Sequence, residues 1–184
     1  PLKEMGPGSA DALHVTAEAM KLSYADRSKY LGDPDFVEIP TKALVSKDYA
    51  KSLAAKINME RATPSEEIAP GNLAIYESDE TNHYSVVDSE GNMVGNTYTL
   101  MFSFGSGVVI EGTGILMNNN MGNFTLRPDI PDAFGLMGSE DNMISPLRRP
   151  VSSMSPVLVS KDDKPLMMTG TPGGSKIISA NMQM

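Results

Sequence analysis

The stretch Thr81-Asn82-His83-Tyr84-Ser85-Val86-Val87-Asp88 follows the polar pair Asp79-Glu80 and passes at once into an alternating pattern, so a polar loop feeds a β-strand that opens on a threonine. A threonine hydroxyl attacks a carbonyl only when a base stands near enough to take its proton, and a free α-amino group with a pKa of about 8 can serve. Inside a chain, Thr81 carries an amide at that place. The chemistry therefore needs a cut between Glu80 and Thr81, which the same hydroxyl can make on the Glu80 carbonyl through an N-to-O acyl shift and ester hydrolysis. A threonine that merely starts a strand accounts for the same residues, so the rest of the chain has to decide.

Working outward, the period changes on either side of Thr81. Downstream it is two: His83 to Asp88 and Met93 to Thr99 flank Ser89-Glu90-Gly91-Asn92, where Gly91 and Asn92 tolerate positive φ, and the spacing predicts a hairpin. Further strands are expected at Gly107 to Glu111, Gly114 to Met117, Pro156 to Lys161 and Pro165 to Thr169, the last two joined across Asp162-Asp163, so that the second half forms a sheet. Between them Arg127 to Arg149 is rich in Pro, Gly and Asp without periodicity, and loops of that length are usually functional; it reads as a lid. Upstream the period is helical. Leu13, Ala17, Met20, Tyr24 and Leu31 after a Ser9 cap predict one amphipathic helix stopped at Gly32, then a turn at Asp33-Pro34-Asp35. A second, shorter helix is expected from Ser46 to Ile57 with Tyr49, Leu53 and Ile57 on one stripe, before Pro64, Pro70 and Gly71 leave a surface connection up to Glu80.

Composition bounds the function. The 184 residues, 40% of them hydrophobic, suffice for one sizeable core. A net charge of −8 with no gathering of Lys and Arg argues against nucleic acid as a partner. With no cysteine there is no disulfide, thiolate nucleophile or Cys-based zinc site, which fits oxidising and reducing compartments alike. His14 and His83 alone argue against a metal triad, and both read as structural; no cofactor is expected. No window reaches the length of a membrane span. Gly105-Ser106-Gly107 starts like a dinucleotide fingerprint, but Ile110 stands at its last glycine position. The fourteen methionines read as fillers of core gaps. Opening on Pro1 without an initiator methionine, the chain reads as processed or partial.

Four ordered blocks carry a resemblance. Tyr24-Ala25-Asp26-Arg27 with Tyr30-Leu31-Gly32-Asp33-Pro34-Asp35-Phe36, then Thr81 to Asp88, then Arg149-Pro150-Val151-Ser152-Ser153-Met154-Ser155-Pro156, then Gly170-Thr171-Pro172-Gly173-Gly174-Ser175, make the chain similar to part of a γ-glutamyltranspeptidase, of the N-terminal nucleophile hydrolase superfamily. The resemblance implies an α+β fold, an αββα four-layer sandwich incomplete in this chain, made by a precursor that cuts itself before Thr81. Residues 1–80 would be the C-terminal part of the large subunit, mainly helical. Residues 81–184 would be the N-terminal part of the small subunit, mainly β-sheet with a lid-like loop at about 127–149. The other large- and small-subunit segments would be its partners, with a compartment that is periplasmic or secreted.

Position by position, the resemblance makes Thr81 the nucleophile, its freed amine the base, and Thr99 the threonine that supports its hydroxyl. Gly173 and Gly174 match an oxyanion hole, and glycines let backbone N–H groups approach a developing oxyanion at about 3 kcal/mol of barrier each. Ser152 and Ser153 match the pair that holds the substrate α-carboxylate, and Asn120 and Asn123 lie in the segment that grips its α-ammonium. Two departures stand out. The family usually has a carboxylate where this chain has Asn123. A lid tyrosine and its polar partner are replaced by Phe134 and Met101, so a sulfur-to-ring contact of roughly 0.3–1.5 kcal/mol would take the place of the hydrogen bond, unless both side chains are simply core.

The implied activity is transfer of a γ-glutamyl group from glutathione or a related amide to water or an amino acid through an acyl-enzyme on Thr81. Within the same superfamily, Asn123 and Met101 leave room for an acylase of glutaryl-type amides that lack the α-ammonium. A different class of reading is a catalytically silent piece that associates through uncovered apolar faces.

Overall fold

The computed structural model describes residues 2–68 and 81–184, which divide between two compact units. Of the described residues, 2–68, 125–131 and 137–149 form the first, and 81–124, 132–136 and 150–184 form the second. Residues 69–80, including the Glu80 side of the expected cut, lie outside the described residues.

In the first unit, Ser9 caps the long helix as expected: its hydroxyl accepts from the Ala12 amide at 3.1 Å, and a short α1 (Leu2–Met5) precedes α2 (Ala10–Tyr30). The expected stripe on α2 is a correction, because Leu13 is 59% exposed and the buried positions are Ala12 and Glu18. A carboxylate tolerates burial only when paired, and Glu18 accepts from Lys21 Nζ at 2.6 Å and from the Thr63 amide at 3.3 Å. Those hydrogen bonds hold its pKa below the usual carboxylate range against the opposing effect of burial.

After the turn, α3 (Thr41–Leu44) leads to α4 (Lys47–Ala54), capped by Ser46 Oγ on the Tyr49 amide. This helix stops short of Ile57 because its last turn tightens: Lys56 N donates to Leu53 O and Ile57 N to Ala54 O, both three residues back. Tyr49 Oη donates to both Asp26 oxygens at 3.0 and 3.1 Å, tying α4 to α2, and one further turn, α5 (Ser65–Ile68), follows. The returning segment contributes Thr125, whose amide donates to Asn142 O, and a 3₁₀ turn at Glu140–Asn142.

The second unit holds the strands. β1 (Thr81–Val87) and β2 (Met93–Thr99) pair antiparallel as the expected hairpin, Thr81 opposite Thr99 and His83 opposite Thr97. Their turn is fixed by Asp88, whose Oδ1 accepts the amides of Glu90 and Asn92 while Asn92 Nδ2 reaches Oδ2, which lowers the Asp88 pKa. Of the two residues expected to allow positive φ, Gly91 uses it, at 85°.

β3 (Val109–Ile110) and β4 (Ile115–Leu116) are shorter than the pattern suggests, since Gly107, Gly112 and Gly114 all adopt positive φ and break the ladder. β5 (Val157–Lys161) and β6 (Lys164–Thr169) turn through Asp162 and Asp163, both left-handed at φ 52° and 58°. Opposite Pro165, which has no amide proton to give, the register shifts between Val159 and Ser160. The expected single sheet is instead three two-stranded ladders, β1-β2, β3-β4 and β5-β6. The Met168 side chain of β6 nevertheless fills the space above Gly95 of β2, and α6 (Lys176–Asn181) closes the described chain, with Ile177 at 1% exposure.

Candidate active site

All ten residues singled out from the sequence fall in the second unit. Thr81 is the first residue of β1 and is 7% exposed; Thr99 ends β2 directly across from it. The register alone would bring the two side chains to one face, and Thr81 Oγ1 donates to Thr99 Oγ1 at 3.3 Å. Thr99 Oγ1 also accepts the Met101 amide at 2.9 Å. That second bond requires the chain to reverse just after β2, and Met101 takes φ 78°, an uncommon conformation for a residue with a side chain. The supporting hydroxyl is thus oriented by the backbone that follows it.

The same reversal assembles the loop carrying Asn120 and Asn123. Asn119 N donates to Leu100 O and Asn119 Oδ1 accepts from Phe102 N, holding residues 100–102 against the 3₁₀ turn Asn120–Asn123. Met101 is buried, with Cε and Sδ lying 2.8 and 3.1 Å from where a Cβ on Gly122 would stand, so its thioether occupies the space that a side chain there would take. The Asn120 amide donates to Asn118 Oδ1, and Asn120 Oδ1 is sealed from solvent without a hydrogen-bond partner among the described residues. A buried orphan acceptor is costly unless something donates to it.

Phe134 sits in a tight loop in which Asp132 Oδ1 accepts the amides of Phe134 and Leu136. Its ring meets Phe102, at 6.0 Å between centroids and 38° between planes, one residue beyond Met101. The apolar contact expected of Phe134 is therefore ring to ring with Phe102, while the Met101 thioether packs on Gly122.

The remaining four residues lie in two loops, Ser152 and Ser153 ahead of β5, and Gly173 and Gly174 ahead of α6. Gly173 and Gly174 head the helix with φ 127° and 52°, their carbonyls accepting Lys176 N and Ile177 N. A Cβ on Gly173 would come no nearer than 3.7 Å to another atom, the Lys176 Cβ, so the left-handed backbone demands the glycine more than crowding does. Ser152 Oγ accepts the Met154 amide at 3.1 Å, and Asn181 Nδ2 donates to Ser155 O at 2.6 Å, fastening the serine segment to α6. Two residues along β1 from Thr81 is His83, which sequence reasoning gave no part in the site. Its Nδ1 and Nε2 bond Thr97 Oγ1 at 2.7 Å and Ser85 Oγ at 3.0 Å, and its ring occupies the space over Gly170. The hairpin register gives the Thr97 pairing away; the Gly170 contact between distant segments has no local signal.

Among the described residues no cluster of acidic, histidine or cysteine side chains is arranged to hold a metal, and no helix is long and apolar enough to cross a membrane. What the arrangement can do is orient a threonine hydroxyl at a strand start through Thr99, whose own hydroxyl is oriented by the Met101 amide.

A mixed α and β chain organised about a strand-opening threonine belongs with the N-terminal nucleophile hydrolases, whose αββα sandwich it carries in part. The family model described as gamma-glutamyltranspeptidase matches residues 1–184, and the chain belongs to that family. It is 54% identical over 183 residues to the glutathione hydrolase proenzyme of Escherichia coli K12, covering 100% of this chain and 32% of that protein. The chain thus spans about a third of the length of the curated relatives it matches. A solved γ-glutamyltranspeptidase from Pseudomonas nitroreducens, complexed with L-DON, is 48% identical with a TM-score of 0.53, covering 54% of this chain and 52% of that one. A solved cephalosporin acylase from Bacillus halodurans is 27% identical with a TM-score of 0.71, over 95% of this chain and 29% of that one.

Proposed function

We propose that this chain carries the nucleophile of a γ-glutamyl transferase and hydrolase that cuts itself before Thr81 and then forms an acyl-enzyme on the Thr81 hydroxyl. The observation that carries the reading is the part-buried Thr81–Thr99 hydroxyl pair braced by the Met101 amide. In the acylation step the freed Thr81 amine takes the hydroxyl proton as Oγ1 attacks the γ-carbonyl, and the N–H groups at Gly173 and Gly174 take the developing negative charge. The amine of the leaving group departs with that proton, and water or an amino acid then attacks the ester. Ser152 and Ser153 hold the donor α-carboxylate, with Asn120 and Asn123 at its α-ammonium. The enclosed Asn120 Oδ1 supports this, since an ammonium would give it the donor it lacks among the described residues. The glutathione hydrolase relatives support the donor class. The compartment we propose is the periplasm or the outside of the cell, where fractionation should find its activity.

A second reading, an acylase for glutaryl-type amides, is favoured by the cephalosporin acylase likeness over 95% of the chain and by the neutral Asn123. Turnover of γ-glutamyl and glutaryl anilides by the full-length protein separates the two. A preference for the γ-glutamyl donor supports the first; equal or better use of the glutaryl donor replaces it with the second.

A further inference from the structure

One sequence block, Tyr24 to Phe36, has no role in the chemistry above, and its end meets Arg149, at the head of the block that carries Ser152 and Ser153. In the first unit Asp33, with a side chain 1% exposed, accepts from Arg149 three times: the backbone N at 2.8 Å and Nε at 3.1 Å on Oδ2, and Nη2 at 2.5 Å on Oδ1. The exposed Asp35 carboxylate closes on the same Nη2, while the Asp35 amide donates back to Asp33 Oδ1 at 3.2 Å. Around this knot, the Arg148 guanidinium lies 5.2 Å from the centre of the Phe36 ring, and a Cβ on Gly32 would stand 2.5 Å from Asp141 O. Backbone and fork together on one buried carboxylate is a geometry only arginine can satisfy.

The placement along the chain gives the knot its meaning. Asp33, Asp35 and Phe36 precede Thr81, whereas Asp141, Arg148 and Arg149 follow it. By contrast, the ties Glu18–Lys21, Asp26–Tyr49 and Thr125–Asn142 each stay on one side. A cut before Thr81 therefore leaves the carboxylate on one product and the guanidinium on the other. We propose that Asp33 and Arg149, closed by Asp35, form a latch that holds the two cleavage products to each other. The inference rests on the self-cleavage reading for its occasion.

The test uses the full-length protein after cleavage, with native mass spectrometry and size exclusion following separation of the two pieces on dilution in urea too weak to unfold either. Asp33→Asn should raise the dissociation constant about tenfold or more, because a charge-assisted, enclosed acceptor is lost. Arg149→Lys, which keeps charge without the fork, should fall between that variant and the parent, and Asp35→Asn, exposed and screened, should stay within about twofold of the parent. Circular dichroism and the extent of cleavage identify any variant that misfolds, in which case Arg149→Lys against Asp35→Asn decides. Equal dissociation in the parent and Asp33→Asn, or an Asp35→Asn effect as large as that of Asp33→Asn, overturns the latch. If the parent proves uncut, the function reading fails separately, and the same ranking is measured on a version cut at a protease site placed at residues 77–80.

Discussion

Replacing Thr99 by valine removes one hydroxyl at almost constant shape and strikes two hydrogen bonds at once. Thr81 Oγ1 loses its acceptor at 3.3 Å, and the Met101 amide loses its acceptor at 2.9 Å. Thr81 and Met101 are both buried, so water does not readily take the vacant place. Leaving a buried donor unmade costs about 1–3 kcal/mol, and part of that falls on the reactive rotamer of Thr81. If about 1.4–2.7 kcal/mol appears in the barrier, self-cleavage slows by about 10- to 100-fold. Thr99→Ser keeps the oxygen and should stay within a few-fold of the parent. The assay is the half-time of precursor disappearance on a denaturing gel for full-length protein, with N-terminal sequencing of the product. Cleavage of Thr99→Val at the parental rate would refute the reasoning, because the pair would then be packing and not support.

Three further outcomes are expected. Asn123→Asp adds a full negative charge at the proposed α-ammonium contact, where a charge-assisted bond is roughly twice as strong as a neutral one, so KM for a γ-glutamyl anilide should fall about fivefold with the glutaryl anilide unimproved; an unchanged ratio contradicts the assignment. The Asp33 carboxyl is held well below the usual carboxylate range, first by the Arg149 side chain and then by its amide. A depressed pKa contributes stability above the unfolded value and loses it as pH falls through the folded one, so cleaved protein should show constant association above about pH 5 and weaken only below about pH 4; weakening near neutrality would be wrong. Gly138→Ala would drive a Cβ into Thr125 Oγ1 and to 3.0 Å from its Cβ, inside a buried Thr125–Asn142 contact, and should destabilise by about 1–3 kcal/mol in urea unfolding; an unmoved midpoint refutes it.

What was legible in the sequence was what local chemistry controls. The Ser9 and Ser46 caps and the hairpin turn at Asp88 follow from side chains acting on their own backbone, and the reversal at Asp162-Asp163 from residues that tolerate positive φ. From that hairpin the Thr81–Thr99 contact follows by register alone. Burial of Glu18 was not legible, because it depends on Thr63 reaching back to α2 across more than forty residues. Nor was the meeting of Arg149 with Asp33, for which charge alone offers many candidate pairs. Met101 shows the limit most clearly. Its identity reads as core filler, whereas its positive φ, which aims an amide at Thr99, is imposed by the turn and leaves no trace in the residue type.

The central claim is that the Thr81 hydroxyl cuts the chain before itself, and intact mass with N-terminal sequencing of freshly purified full-length protein, beside Thr81→Ala, tests it most directly. The account predicts two pieces in the parent, one beginning Thr81-Asn82-His83, and a single uncut chain in the variant. One uncut chain in both, or the same cut in both, would contradict it.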